Sequence, residues 1–251
     1  MQVVLLGTGA ALPVASRGYA GIYVKVANEH VVLDAGPGTM QRLARVGVTH
    51  LNLDRVFLTH FHPDHCLDVV SILFAMRIPQ PARTKPLVIY GPRGLKRLYH
   101  QLNTAFHGWI APRTYRLTFK ELGETTMRLH GYTVQTKRMN HANGFALGYR
   151  LTEGRRSLAY SGDTDYCEEI VALGRRAHLL ILECSMTDER KVAGHLTPSE
   201  CGRIAAQAGC RHLVLTHFYP VFAGYDLRRR IRRVFRGRLA LARDFATFLL
   251  S

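Results

Sequence analysis

The sequence has no C-x-x-C pair, and its five cysteines (Cys66, Cys167, Cys184, Cys201 and Cys210) are odd in number and scattered. That argues against a disulfide framework and against a cysteine zinc site. Reduced thiols in a cytosolic chain are the expectation. Acidic residues are scarce, with 18 Asp+Glu against 34 Lys+Arg and a formal net charge of +16. Such an excess attracts polyanions, nucleic acid first and acidic membrane surfaces second, although an arginine-rich soluble enzyme would show the same balance. No apolar run is long enough for a membrane span. The run Val3-Val4-Leu5-Leu6 has no positive stretch before it and is interrupted by Gly7-Thr8-Gly9, so a first strand is expected rather than a signal-peptide core. Short repeats and low-complexity linkers are missing too. With 251 residues and 47% hydrophobic content, one domain spanning 1–251 with one sizeable core is expected.

What the chain does have is concentrated in Thr59-His60-Phe61-His62-Pro63-Asp64-His65-Cys66. Three imidazoles and a carboxylate fall within six residues, directly after the apolar run Val56-Phe57-Leu58. In an extended segment alternate residues share a face, so His60, His62 and Asp64 can converge while Phe61 and Pro63 point elsewhere. A helix carrying Leu67, Val70, Ser71 and Phe74 would begin near Asp64 and run to about Met76. The turn into that helix can aim His65 at a second position. Nitrogen and oxygen donors of this kind suit zinc, manganese or iron, and paired metals sit ~3.5–4 Å apart.

Around this stretch the apolar pattern predicts a series of short strands and helices. Strands are expected at Val3–Leu6, over Tyr19–Val26 and His30–Leu33 as a pair, and at Val56–Leu58, Pro86–Tyr90, Phe145–Leu151, Ser157–Tyr160, Leu179–Leu182 and Leu213–Leu215. Tyr115 to Arg138 reads as short strands, and two more are expected around Leu239–Leu241 and Ala246–Leu250. Helices are expected through Met40, Leu43 and Val46, from Leu95 to Leu102, over Pro198–Ala208 with Thr197 as the cap, and from Asp226. Four apolar strands end in a potential ligand or acid: the His60–His65 stretch, Asp163, Glu183 and His217. Strand C-termini are where an α/β scaffold places its chemistry.

These features resemble the metallo-β-lactamase superfamily, and most of all its ribonuclease Z-like branch. The resemblance rests on Gly7-Thr8-Gly9 with Pro13 and Arg17, the HxHxDH stretch, His141 before Gly148-Tyr149-Arg150, and Ser161-Gly162-Asp163-Thr164. It continues through Glu183, Gly194-His195-Leu196-Thr197 and Leu215-Thr216-His217-Phe218. It implies an α/β fold, an αββα sandwich of two mixed sheets packed face to face with helices on both outer faces. It also implies two divalent metal ions, zinc first, with manganese or iron as alternatives. His60, His62 and His141 would hold one ion, Asp64, His65 and His217 the other, and Asp163 would bridge. Two ions against two carboxylates leave a net positive site suited to a phosphodiester and a hydroxide. Asp34 would be a supporting or turn residue. Glu183 and His195 would form the acid pair for the leaving group, with Asp64 also in the catalytic set.

The sequence departs from the branch in places. The family's His-Glu-Ala-Thr box is here Leu182-Glu183-Cys184-Ser185, its His-Ser-Thr box is His195-Leu196-Thr197, and Asp68 stands where a glycine is usual. Between His107 and His141 there is no Gly/Pro-rich stretch corresponding to the arm that grips tRNA. The expected function is a metal-dependent phosphodiesterase acting on RNA 3′ ends, oligonucleotides or a cyclic nucleotide. The alternatives are an arylsulfatase or a lactone or thioester hydrolase on the same metals, or a non-catalytic nucleic-acid-binding protein. The partner is then a phosphodiester or RNA, with no membrane, and a homodimer is left open by the resemblance. The stretch Arg228–Arg236 is either a phosphate-binding strip or a solvated helix face, with Leu227, Ile231, Val234 and Phe235 turned to the core.

Overall fold

A computed structural model describes residues 1–141, 145–222 and 224–251. Two seven-stranded sheets face each other. In the first, β1 (Gln2–Gly7) pairs antiparallel with β2 (Gly21–Val26), and β2 pairs in the same sense with β3 (Glu29–Leu33). The β2–β3 turn is Ala27-Asn28, with φ of 45° and 66°. Two left-handed residues give the turn twist that a two-residue hairpin needs. From there parallel strands alternate with helices: α1 (Thr39–Ala44), β4 (Arg55–Phe57), α2 (Pro63–Cys66), α3 (Val69–Arg77), β5 (Leu87–Pro92), α4 (Leu95–Ala105) and β6 (Leu117–Leu122).

The second sheet opens with the antiparallel run β7 (Thr125–Leu129), β8 (Tyr132–Met139), β9 (Ala146–Glu153) and β10 (Arg156–Tyr160). Parallel strand–helix units follow: α5 (Glu168–Gly174), β11 (Leu179–Glu183), α6 (Pro198–Ala208), β12 (His212–Thr216), α7 (Leu227–Arg232) and β13 (Arg238–Leu241). The chain then returns to the first sheet, where β14 (Thr247–Leu249) pairs with β1. Residues such as Val3, Val24, Phe57, Tyr149, Leu158 and Ile181 fill the space between the sheets. Separate cores lie under α1, α3 and α4 on one side and under α5 to α7 on the other. Full burial of each such side chain contributes roughly 1.5–3 kcal/mol.

Some elements differ from the sequence pattern. The helix expected from Asp64 to Met76 is two helices, broken at Leu67 and Asp68, where the Asp68 amide donates to the Ala35 carbonyl at 2.9 Å instead of a helical carbonyl and its carboxylate accepts the Met40 amide of α1 at 2.5 Å. Alternation holds for His60 and His62 but stops at Pro63, which opens α2 and turns Asp64 to another face. Phe145 lies outside β9 as an exposed turn residue. Of the face expected to turn inward near α7, Leu227, Ile231 and Phe235 are buried but Val234 is 52% exposed, since the helix ends at Arg232. Within the same basic stretch Arg230 pairs with Asp188 and Glu189, and Arg232 donates to the Gly237 carbonyl. The capping role of Thr197 is present, with its amide donating to Glu200 Oε2 at 2.9 Å. No described helix is long and apolar enough to cross a membrane.

Candidate metal centre

The loops that leave β4, β8, β10, β11 and β12 meet at one edge of the sandwich. They bring together all nine residues singled out from the sequence. His60, His62, His141 and Asp163 form one cluster and Asp64, His65 and His217 a second; in each, the candidate ligand atoms lie within 4.8 Å of one another. Asp163 stands between them, its Oδ2 3.8 Å from both His60 Nε2 and His141 Nε2. Its Oδ1 lies 3.3 Å from His65 Nε2 and 3.5 Å from His217 Nε2. Gly162, at φ 59°, lets this strand end approach closely: a Cβ there would sit 2.6 Å from Thr59 Cβ.

The ring orientations are set from behind. Thr59 Oγ1 donates to Asp34 Oδ2 at 2.9 Å and so accepts from His60 Nδ1 at 3.0 Å. Ser185 Oγ donates to Glu183 Oε2 at 2.6 Å and accepts from His217 Nδ1 at 2.9 Å. His65 Nδ1 meets Asp34 Oδ2 at 2.8 Å, and His141 Nδ1 meets the Gly194 carbonyl at 2.8 Å. With each Nδ1 carrying the proton, each Nε2 presents a lone pair inward. His65 Nε2 and His217 Nε2 then face each other at 3.0 Å. Two lone pairs at that distance repel unless a cation or a proton lies between them. His60 Nε2 and Asp163 Oδ1 are buried without a hydrogen-bond partner. An orphaned imidazole nitrogen in the first cluster and an orphaned carboxylate oxygen facing the second fit divalent cations.

The electrostatics agree. Burial, aided by the charge of His65, pushes His60 well below its ordinary value. Burial would also lower His65, but Asp163 and Asp34 hold it well above its usual range. Burial would raise Asp163, yet His217 and His65 bring it well below the usual carboxylate range. The centre therefore favours an ionised Asp163 among donors that compete for positive charge.

Beside it, His195 Nδ1 lies 3.0 Å from Glu183 Oε1 and 3.9 Å from Asp163 Oδ2. Burial pulls His195 down, but the Glu183 hydrogen bond and charge prevail and lift it to about 8. Glu183 itself is buried and accepts from the amides of Thr164 and Ser185 at 3.1 Å.

A beta-lactamase superfamily domain is matched over residues 29–218. The ribonuclease Z of Myxococcus xanthus (strain DK1622) is 30% identical over 86% of this chain and 86% of its own length. The chain belongs to the beta-lactamase superfamily, in its ribonuclease Z-like branch. The ribonuclease Z of Streptomyces coelicolor is 29% identical over 97% of this chain and 95% of its own. The fold is shared with the metallo-beta-lactamase fold protein YhfI from Bacillus subtilis, at TM-score 0.86 and 24% identity over 99% of both chains. It is shared with human tRNase Z, short form, at TM-score 0.81 and 24% identity over 100% of both. This ribonuclease Z-like protein is a metal-dependent hydrolase.

The branch also puts its departures in physical terms. Asp68 accepts the Met40 amide in the first turn of α1. The Ser185 hydroxyl reaches His217 Nδ1. Where the sequence showed no Gly/Pro-rich stretch, only Gly123-Glu124 separates β6 from β7 and only His130-Gly131 separates β7 from β8. The Streptomyces coelicolor match runs over 298 positions against a chain of 251 residues, so that ribonuclease Z has segments with no counterpart here.

Several supporting residues escaped the sequence reading. Tyr160 donates to Asp34 Oδ2 at 2.8 Å from the opposite sheet. Lys191 Nζ bonds Asp165, Glu200 and the His195 carbonyl, each at 2.6 Å, and Asp165 also accepts the Gly194 amide. These hold the loop carrying His195. No local pattern in the sequence marks them.

Proposed function

We propose that this ribonuclease Z-like hydrolase is a dinuclear phosphodiesterase. His60, His62 and His141 would hold one divalent cation, Asp64, His65 and His217 a second, with Asp163 shared. Zinc suits a set dominated by imidazole. The observation that carries this reading is the position of Asp163, whose two oxygens each face one histidine cluster. Two such ions supply an acidified water and charge neutralisation for the phosphate.

The remaining chemistry falls to the chain's own side chains. Glu183 fixes His195 through Nδ1, which leaves Nε2 to hold a proton for the departing oxygen. His195 also groups with Asp163 and His217, their candidate ligand atoms within 4.8 Å of one another, so the imidazole stands beside the reacting centre while Glu183 engages its Nδ1. The formal charge of +16 favours an anionic substrate. We take residues 1–251 as one hydrolase unit, and five cysteines without a disulfide fit a cytoplasmic setting.

The substrate reading is an RNA 3′ end, an oligonucleotide or a cyclic nucleotide. Short turns where the arm would stand favour small phosphodiesters over a tRNA held at a distance. The test is a hydrolysis screen of zinc- and manganese-loaded protein on bis-p-nitrophenyl phosphate, cyclic nucleotides, an aryl sulfate, a lactone and pre-tRNA. Turnover of phosphodiesters at least as readily as pre-tRNA is expected. Selective turnover of the sulfate or the lactone would replace this reading.

A further inference from the structure

Next to His60 and His62 a groove of about 700 Å³ opens against α4. Its lining has three chemical parts. One is aromatic. Phe61 lies across the start of α4, where a Cβ at Gly94 would be 3.5 Å from its ring, and Phe145 stands 55% exposed on the same groove. These phenyl rings expose apolar surface beside a polar centre.

The second part is cationic. Arg93 sits in the turn before α4 and Arg97 in the first turn of the helix, and both line the groove together with Gln101. Both arginines are exposed, and neither has a carboxylate within ion-pair distance among the described residues. The third part is the carboxylate of Glu121, which accepts the amides of Gly94 and Lys96 at 3.0 and 3.1 Å. Its charge is thus directed at the helix start, and the two guanidinium groups remain available to an anion.

We propose that this groove is a nucleotide subsite: a base stacks on Phe145 and Phe61 while a phosphate flanking the scissile one is held by Arg93 and Arg97. The inference rests on the phosphodiesterase reading above. It adds which ester substituent is recognised. His60 and His62 line the groove and His195 does not. The leaving oxygen belongs beside His195, so the nucleotide in the groove is the one that stays bonded to phosphorus. An apolar face plus paired guanidinium groups suits a single-stranded nucleotide and gives little base discrimination, because every base offers a π-face.

Two esters with the same leaving group test this. Thymidine 5′-(4-nitrophenyl phosphate) and methyl 4-nitrophenyl phosphate both release 4-nitrophenolate, and only the first carries a base on the retained side. The zinc-loaded wild type should favour the thymidine ester in kcat/KM by roughly tenfold, the order one base–aromatic stack supplies. Phe145→Ala should bring the ratio towards one and Phe145→Trp should keep it. A 3′-phosphate added to the thymidine should raise kcat/KM further, and Arg93→Gln with Arg97→Gln should abolish that increment. A wild-type ratio near one, or a ratio unchanged in Phe145→Ala, would overturn the subsite while the phosphodiesterase reading stands. Hydrolysis of neither ester would sink that reading. Calorimetry then decides the groove by itself, using 5′-phosphorylated dithymidylate with zinc-loaded and metal-free protein. Weaker binding in Phe145→Ala and in the double arginine variant supports the subsite, and equal binding in all three proteins overturns it.

Discussion

The Tyr132 hydroxyl on one sheet donates to Glu29 Oε2 on the other at 2.8 Å. Glu29 also takes two bonds from Arg55, at 2.6 and 2.7 Å. Burial would raise the Glu29 carboxyl, but the bonds from Arg55 and Tyr132 and the charge of Arg55 bring it below its usual value.

Stability should therefore depend on acid through Glu29. A depressed carboxylate contributes stability in full above its unfolded value, near pH 4.5, and loses it as pH falls through the lower folded value. In urea unfolding at pH 7, Glu29→Gln should be less stable by roughly 1–3 kcal/mol, because Arg55 keeps a half-buried charge without its carboxylate. Below pH 4.5 the difference between the proteins should shrink. A constant difference from pH 7 to 3 would show that this ionisation contributes nothing.

Asp163→Ala removes the carboxylate that faces both histidine clusters. Elemental analysis after zinc reconstitution should give two ions per chain in the wild type and at most one in the variant, with hydrolysis abolished. Full activity in the variant would end the shared-ligand assignment.

His195→Ala should retain its metals and slow hydrolysis of diesters with alkoxide leaving groups by ~10²–10⁴-fold. With p-nitrophenolate, which needs no proton to depart, the loss should be much smaller. Equal losses on both leaving groups, or loss of metal, would make His195 a ligand or a structural cap.

Ser185→Ala takes away the acceptor for His217 Nδ1 and leaves His195 facing Glu183. Zinc affinity, followed by competition with a chromophoric chelator, should fall by roughly 10–100-fold. The dependence on leaving group should be unchanged. Glu183→Gln touches both His195 and Ser185, so it should combine the weaker metal binding with the slower proton delivery.

The HxHxDH stretch made the centre legible because its donors are close in sequence and its preceding strand is plainly apolar. His141, Asp163 and His217 became legible through strand ends and the resemblance, not through local spacing. Tyr160, Ser185 and Lys191 were not, since a hydroxyl or an amine acquires its partner only once the sheets and the loop after β11 are packed. The break at Asp68 follows the same pattern: its carboxylate serves the Met40 amide, twenty-eight residues away in the chain. His217 adopts a left-handed φ of 61°, which no side-chain pattern announces. The positions of most strands followed from apolar runs, whereas Phe145 and Val234 turn outward because β9 begins after the first and α7 ends before the second.

Each histidine cluster draws on both halves of the sandwich. His60, His62, Asp64 and His65 leave the first sheet, and His141, Asp163 and His217 leave the second. Any cation seated there would act as a clasp between two layers that otherwise meet through apolar side chains and a few hydrogen bonds such as Tyr132–Glu29 and Tyr160–Asp34. Mechanical integrity and cofactor supply then become a single variable: the melting temperature should climb with free zinc, by the logarithm of its concentration over the dissociation constant. A chelator would loosen the sandwich at the edge where the substrate enters and leave the far edge closed.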